Sequence, residues 1–203
     1  MADAPAAGIV LASSSRTRRA MLEAAGVRLE VVAPRVDERA LKESLRGEGA
    51  DGAGVAEYLA EAKARYGSRH RAGRLCIGAD QVLDCDGVLF DKPVDMDGAR
   101  MQLASLRGRR HALVSCAVAM LNGERLWHHV DRAELAMRDF SDGFLDSYLE
   151  TIGAEALDGP GGYRLEGLGA QLFARVSGDY FTILGLPLLP LLDYLRARKV
   201  LPS

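Results

Sequence analysis

Cysteine is scarce and unsuited to a framework. The three residues, Cys76, Cys85 and Cys116, form no CxxC pair and are odd in number, which argues against disulfides and for a reducing cytoplasm. The four histidines are too scattered for a zinc site, and the adjacent His128 and His129 would point to opposite faces of a strand. Charge of one sign is also missing. Twenty-eight acidic side chains nearly balance 26 basic ones, for a formal charge of −2, so a nucleic-acid binder held by bulk charge is disfavoured. The longest apolar run, Ile183 to Leu192, is too short for a membrane span and holds two prolines. Met1 to Pro5 lacks a basic region followed by an apolar stretch, so no signal peptide is expected. Neither a Walker loop nor a GxGxxG is present.

What is there suits an enzyme. The 203 residues can bury roughly 70% of their unfolded surface, and they read as a single domain over 1–203. Residues 8–12 predict a buried strand, followed by serines and an amphipathic helix through Ala25, closed by Gly26. Residues 28–33 read as a second strand, and Ser44 to Gly54, with four glycines, as a mobile loop. Helical spacing runs over 55–66, then a strand from Arg74 to Leu83 and a turn at Cys85-Asp86-Gly87. Asp95 caps a helix to Leu106. Strands at 112–121 and 125–137 flank the hairpin signal Asn122-Gly123. Ser141 caps a helix to Thr151, a glycine-rich segment covers 159–169, and 170–176 reads as a strand. Pro187 fits the first turn of a final helix ending near Arg198. Alternating strands and helices followed by a hairpin predict a mixed α/β fold.

Four constellations bear chemistry. Ser13-Ser14-Ser15-Arg16-Thr17-Arg18-Arg19 opens a helix, where free N–H groups and hydroxyls bind anions. Arginines there oppose the helix dipole, a cost that a bound anion offsets. Asp80 lies in an apolar strand pattern, where a carboxylate needs a metal ion, a lysine or backbone donors. Lys92, braced by Pro93, and Lys63 on the 55–66 helix are cations that could meet a phosphate, while Asp37-Glu38 is weak alone. Glycines at 161, 162, 167 and 169 let backbone approach a flat ligand. Serines, cations and isolated carboxylates without a nucleophile–base pair point to phosphate hydrolysis by metal-activated water.

In this order the motifs resemble the Maf family of nucleoside triphosphate pyrophosphatases. The resemblance rests on Leu-Ala-Ser-x-Ser at 11–15 with Arg18, Val-Asp-Glu at 36–38, Tyr-Leu-Ala-x-x-Lys-Ala at 58–64 and Gly-Ala-Asp at 78–80. It continues through Lys-Pro at 92–93, Gly-Tyr-x-x-Glu-Gly-Leu-Gly at 162–169, Gly-Asp-Tyr at 178–180 and Gly-Leu-Pro-Leu at 185–188. One departure is Arg16, where the family usually has proline.

The resemblance implies an elongated, two-lobed α/β fold with a mixed sheet and a deep central cleft, like that of inosine triphosphatases, often as a homodimer. It implies cleavage of the α–β bond of a nucleoside triphosphate with a divalent cation (magnesium, manganese or cobalt). By position Asp80 would be the catalytic carboxylate, Glu38 and Asp80 would hold the ion, and Arg18, Lys63 and Lys92 would bind the triphosphate. Ser13 and Ser15 would donate to its oxygens. Base choice is implied at Thr17, Gln81 and Glu166. Members selective for 7-methylguanosine triphosphate typically carry Trp, Gln and Glu there, and those selective for thymidine and uridine triphosphates Arg, Thr and Gln. This chain matches the first group at Gln81 and Glu166 and neither at Thr17. The rival readings are a deaminated-purine triphosphatase, a thymidine/uridine triphosphate pyrophosphatase, and a nucleotide sensor in division control that binds without turnover.

Overall fold

The computed structural model describes residues 8–202; the N-terminal stretch Met1 to Pro5 lies outside them. The elements in order are β1 (Ile9–Ala12), α1 (Arg16–Ala24), β2 (Leu29–Val31), α2 (Glu38–Gly47), α3 (Gly52–His70), β3 (Cys76–Cys85), β4 (Val88–Phe90) and α4 (Met96–Leu106). Then come β5 (Arg110–Leu121), β6 (Glu124–Met137), α5 (Asp142–Ile152), β7 (Phe173–Ser177), α6 (Tyr180–Ile183) and α7 (Leu188–Ala197). Two 3-10 segments, Gly153–Leu157 and Leu168–Leu172, lie between α5 and β7. The strands form one mixed sheet ordered β2-β1-β3-β5-β6-β7, with β4 on β3. β1 is parallel to β2 and β3; the other pairings are antiparallel. The fold is mixed α/β, as the alternation predicts. Among the described residues no helix is long and apolar enough to cross a membrane.

Local chemistry explains most of the elements. Ser15 caps α1 by accepting from the Arg18 N–H at 3.3 Å, and Gly26 ends it at φ +77°. Asp86-Gly87 and Asn122-Gly123 carry paired positive φ values, the geometry of tight hairpin turns. The Ser44–Gly54 loop is a correction. α2 runs to Gly47 and α3 starts at Gly52, because Asp37 caps the first by accepting from Ala40 N and Asp51 the second from Gly54 N. Those caps outweigh the local glycines. The second strand is only 29–31, the 55–66 helix extends over 52–70, and the 170–176 strand gives way to a 3-10 turn before 173–177. Pro187 sits at the N-cap of α7 rather than inside its first turn. The short β4 and α6 have no periodic signal to betray them.

A polar stripe divides one face of the sheet. Along β3, Ile77 and Ala79 belong to a core with α1 and α7, whereas Leu83 and Cys85 belong to another with α4 and α5. Gln81 stands between them. On β5 the boundary residue is Ser115 and on β6 Asp131, and register places Gln81 opposite Ser115 and Ser115 opposite Asp131. The opposite face carries a third core beneath α3. The two cores on the divided face make the two lobes.

The cleft opens where the β3 ladder has a gap. β1 leaves β3 after Gly78, and β4 joins only at Leu83. Residues 79–82 therefore have β5 on one side and no strand on the other. Their free backbone groups need partners, and Arg18 supplies one to the Ala79 carbonyl at 3.0 Å.

α3 lies unusually close to β3 at this point. A Cβ on Gly78 would meet the Ala60 carbonyl oxygen at 2.2 Å and the Ala64 nitrogen at 2.4 Å. Both obstacles are backbone, so neither can swing aside. Gly78→Ala is expected to push α3 off the sheet at a cost of about 1–3 kcal/mol, which lowers the melting temperature by several degrees. A thermal melt within about a degree of wild type would contradict this packing account.

Candidate active site

Asp80 lies on the gapped stretch of β3 and is 5% exposed. The lysine that can neutralise it comes from α3: Lys63, also 5% exposed, donates to Asp80 Oδ1. Its ammonium also meets Glu38 Oε1 at 2.9 Å, from the first residue of α2. The close α3–β3 approach at Gly78 makes this cluster reachable. One lysine thus joins two carboxylates, and Asp80 Oδ2 remains buried with no hydrogen-bond partner. Burial alone would raise the Glu38 carboxyl, but Lys63, Lys42 and Arg18 outweigh it and hold it below its usual value.

Ser13 and Arg18 form the next layer. The Ser13 hydroxyl accepts from Ser15 N at 3.2 Å and from Arg18 Nη1 at 3.4 Å, while the Ser15 hydroxyl accepts from Arg18 N. Both oxygens act as acceptors within the protein, which leaves their O–H protons for an outside acceptor. Arg18 is more firmly built in than a plain ligand-binding cation. Its Nε donates to the Gly185 carbonyl at 2.7 Å and its Nη1 to Ala79, so it staples the loop after α6 to the gap in β3. Burial lowers its pKa, partly offset by Asp80 and Glu38.

Lys92 reaches the same cleft from the loop after β4. Among the described residues it has no ion-pair partner. Its pKa is lowered by desolvation and by the neighbouring Arg18 and Lys63, against the pull of Glu38. Three cations therefore converge on two carboxylates, a surplus that favours an anion. The cleft encloses about 730 Å³ and also exposes Thr17, Gln81 and Glu166. The ten residues to which the resemblance gives a site role thus line one cavity.

The base-facing groups are partly committed. The Gln81 amide nitrogen donates toward Ser115 Oγ, Thr182 O and Ile183 O at 2.9–3.1 Å, so only its carbonyl oxygen is left for a ligand. Glu166 Oε1 takes both Arg164 Nε and Nη2, at 3.0 and 2.9 Å, leaving Oε2. Both remaining groups are acceptors. A second groove of about 830 Å³ adjoins at Thr17 and Glu166 and is lined by Met21, Tyr180, Phe181 and Leu184. Arg16, in place of the family proline, meets Asp158 across the mouth at 3.0 Å.

Sequence reasoning missed Lys42 and Arg46, which also line the cleft. Their signal was the four-residue spacing from Glu38 to Lys42 to Arg46, hidden once Ser44 onward was read as loop. Arg164 was passed over as one residue of a glycine loop, yet it bridges Glu155 and Glu166.

Known proteins with related sequences bear on this arrangement. A nucleoside triphosphate pyrophosphatase of Paramagnetospirillum magneticum is 54% identical over 187 residues, covering 92% of this chain and 96% of its own. A 7-methyl-GTP pyrophosphatase of Mesorhizobium japonicum is 50% identical, covering 93% and 94%. One from Rhizobium meliloti is 48% identical over the same shares. A solved nucleoside-triphosphatase (dITP/XTP pyrophosphatase) from Mycobacterium abscessus covers 65% of this chain and 73% of its own, at 20% identity and a TM-score of 0.39, too distant to carry weight. The family model described as Maf-like protein matches residues 8–198, from the first strand to the end of α7. With every cleft residue inside that span, the chain belongs to the Maf family.

Proposed function

We propose that this chain is a nucleoside triphosphate pyrophosphatase, which hydrolyses the α–β phosphate bond to release a nucleoside monophosphate and pyrophosphate. The observation that carries the reading is the convergence of Arg18, Lys63 and Lys92 on the Asp80–Glu38 pair within one cleft. Hydrolysis of a phosphate anhydride is mostly a matter of neutralising and placing charge, and these cations supply it. Ser13 and Ser15 donate their free O–H protons to phosphate oxygens. Asp80 orients the attacking water, and Lys63 holds the carboxylate in place through a charge-assisted hydrogen bond.

A divalent cation fits the donor set. Among the described residues no cluster of three or more acidic, His or Cys ligands exists, but magnesium commonly takes one or two carboxylates and completes its shell with phosphates and water. Asp80, through its unpartnered Oδ2, and Glu38 are the residues that would hold it. When bound, magnesium, manganese or cobalt would withdraw charge from the phosphates and acidify water. The expected setting is the cytoplasm, as a homodimer, with the nucleotide as partner and neither nucleic acid nor membrane involved.

The base reading favours 7-methyl-GTP. Glu166 Oε2 and Gln81 Oε1 accept and cannot donate. Guanine offers neighbouring N–H donors on its pairing edge, whereas thymine and uracil flank one donor with two acceptors. Methylation makes the ring cationic, which Glu166 attracts in the shielded cleft. Thr17 lacks a flat ring to stack on it. Wild type is expected to use 7-methyl-GTP with higher kcat/KM than dTTP or UTP, and Glu166→Gln to narrow that gap about tenfold. A wild type that prefers dTTP or UTP, with the same ranking in the variant, would contradict this assignment.

A further inference from the structure

α2 is a weakly anchored wall of the cleft. It has no buried residue, and Leu41 and Leu45 are only partly covered by the core beneath α3. Little apolar area holds it down, so its place depends on polar contacts. Besides the Glu38–Lys63 pair, two of those contacts converge on one side chain, Asp91. Lys42 donates to Asp91 Oδ1 at 2.6 Å, and Arg46, one turn later on the same face, to Oδ2 at 3.3 Å. Arg46 also reaches the Leu89 carbonyl at 3.0 Å. The Lys42 side chain is 16% exposed and that of Asp91 48%, so the pair is sheltered from water on the lysine side. Burial alone would raise the Asp91 carboxyl, but the two cations hold it low.

The other half of this contact is rigid. The Asp91 carbonyl accepts from Gln102 of α4 at 2.9 Å, and Pro93, buried, follows Lys92. One carboxylate therefore joins the helix that begins at Glu38 to the loop that presents Lys92. We infer that Asp91 is a positioning residue that latches α2, and Glu38 with it, against the Lys92 loop so that the cleft is formed before substrate arrives. Its consequence for turnover rests on the pyrophosphatase reading; the latch itself does not. Without Asp91 only the closed fraction of molecules binds productively, so apparent affinity falls while the bound complex reacts as before.

The test combines hydrogen exchange of the substrate-free protein with steady-state kinetics on wild type, Asp91→Ala and Asp91→Glu. In Asp91→Ala the α2 amides are expected to exchange about tenfold faster, with β3 and β5 unaltered. KM for the triphosphate should rise about two- to fivefold with kcat changed less than about twofold. Asp91→Glu should recover most of both effects. Unchanged α2 exchange in Asp91→Ala would overturn the latch, and so would faster exchange with unchanged KM. If wild type turns over no triphosphate, the pyrophosphatase reading fails, and the exchange rates still decide whether Asp91 holds α2.

Discussion

Asp80→Asn is expected to reduce hydrolysis by on the order of a hundredfold or more while the protein melts near the wild-type temperature. The two halves of this expectation come from different atoms. Asn keeps the oxygen that accepts from Lys63, and Lys63 retains its contact with Glu38, so the buried cation stays compensated. The change of charge falls where the reaction takes place. Oδ2, now buried without a partner, becomes an amide nitrogen that can neither accept a proton nor hold a cation. Pyrophosphate release and a circular-dichroism melt on the same preparation separate these effects. Near wild-type turnover in Asp80→Asn would remove Asp80 from the chemistry. A large drop in melting temperature would recast it as a structural carboxylate.

Lys63→Ala is expected to damage fold and activity together. It strands the Asp80 carboxylate, whose side chain is 6% exposed, without the lysine that compensates it. Removing one partner of such a pair costs about 3–5 kcal/mol, because the remaining charge is neither solvated nor paired. For a chain of this length that lowers the melting temperature by roughly 10 °C. The double variant Lys63→Met with Asp80→Asn removes both buried charges and should regain most of that loss without regaining activity. If Lys63→Ala melted as wild type does, the pair would be solvated in solution rather than sequestered. If the double variant were no more stable than Lys63→Ala, the loss would lie in packing, not in uncompensated charge.

Much of the site was legible because each piece contradicts its local background. A carboxylate in an apolar strand and arginines at the wrong end of a helix are both costs that function explains; the room that Gly78 gives α3 shows only in the structure. The hairpin at Asn122-Gly123 and the caps at Asp95 and Ser141 follow from local chemistry, and the structure agrees. α2 was lost for the converse reason. It buries nothing fully, and two of its basic side chains are held by Asp91, more than forty residues away in sequence. No window of local pattern contains that partner. The gap in the β3 ladder was equally invisible, since it depends on where β1 and β4 end relative to β3. The ties of Arg18 to the loop after α6 and of Gln81 to the last carbonyls of α6 belong to the same class.

The central claim is that this cleft hydrolyses the α–β anhydride of a nucleoside triphosphate, and the product balance tests it most directly. Purified protein with magnesium, given 7-methyl-GTP, dTTP and UTP in turn, should release pyrophosphate and nucleoside monophosphate in equal amounts, with no orthophosphate, and Asp80→Asn should release both at rates lower by on the order of a hundredfold or more. Orthophosphate with nucleoside diphosphate, or binding of the triphosphates without turnover, would contradict the account.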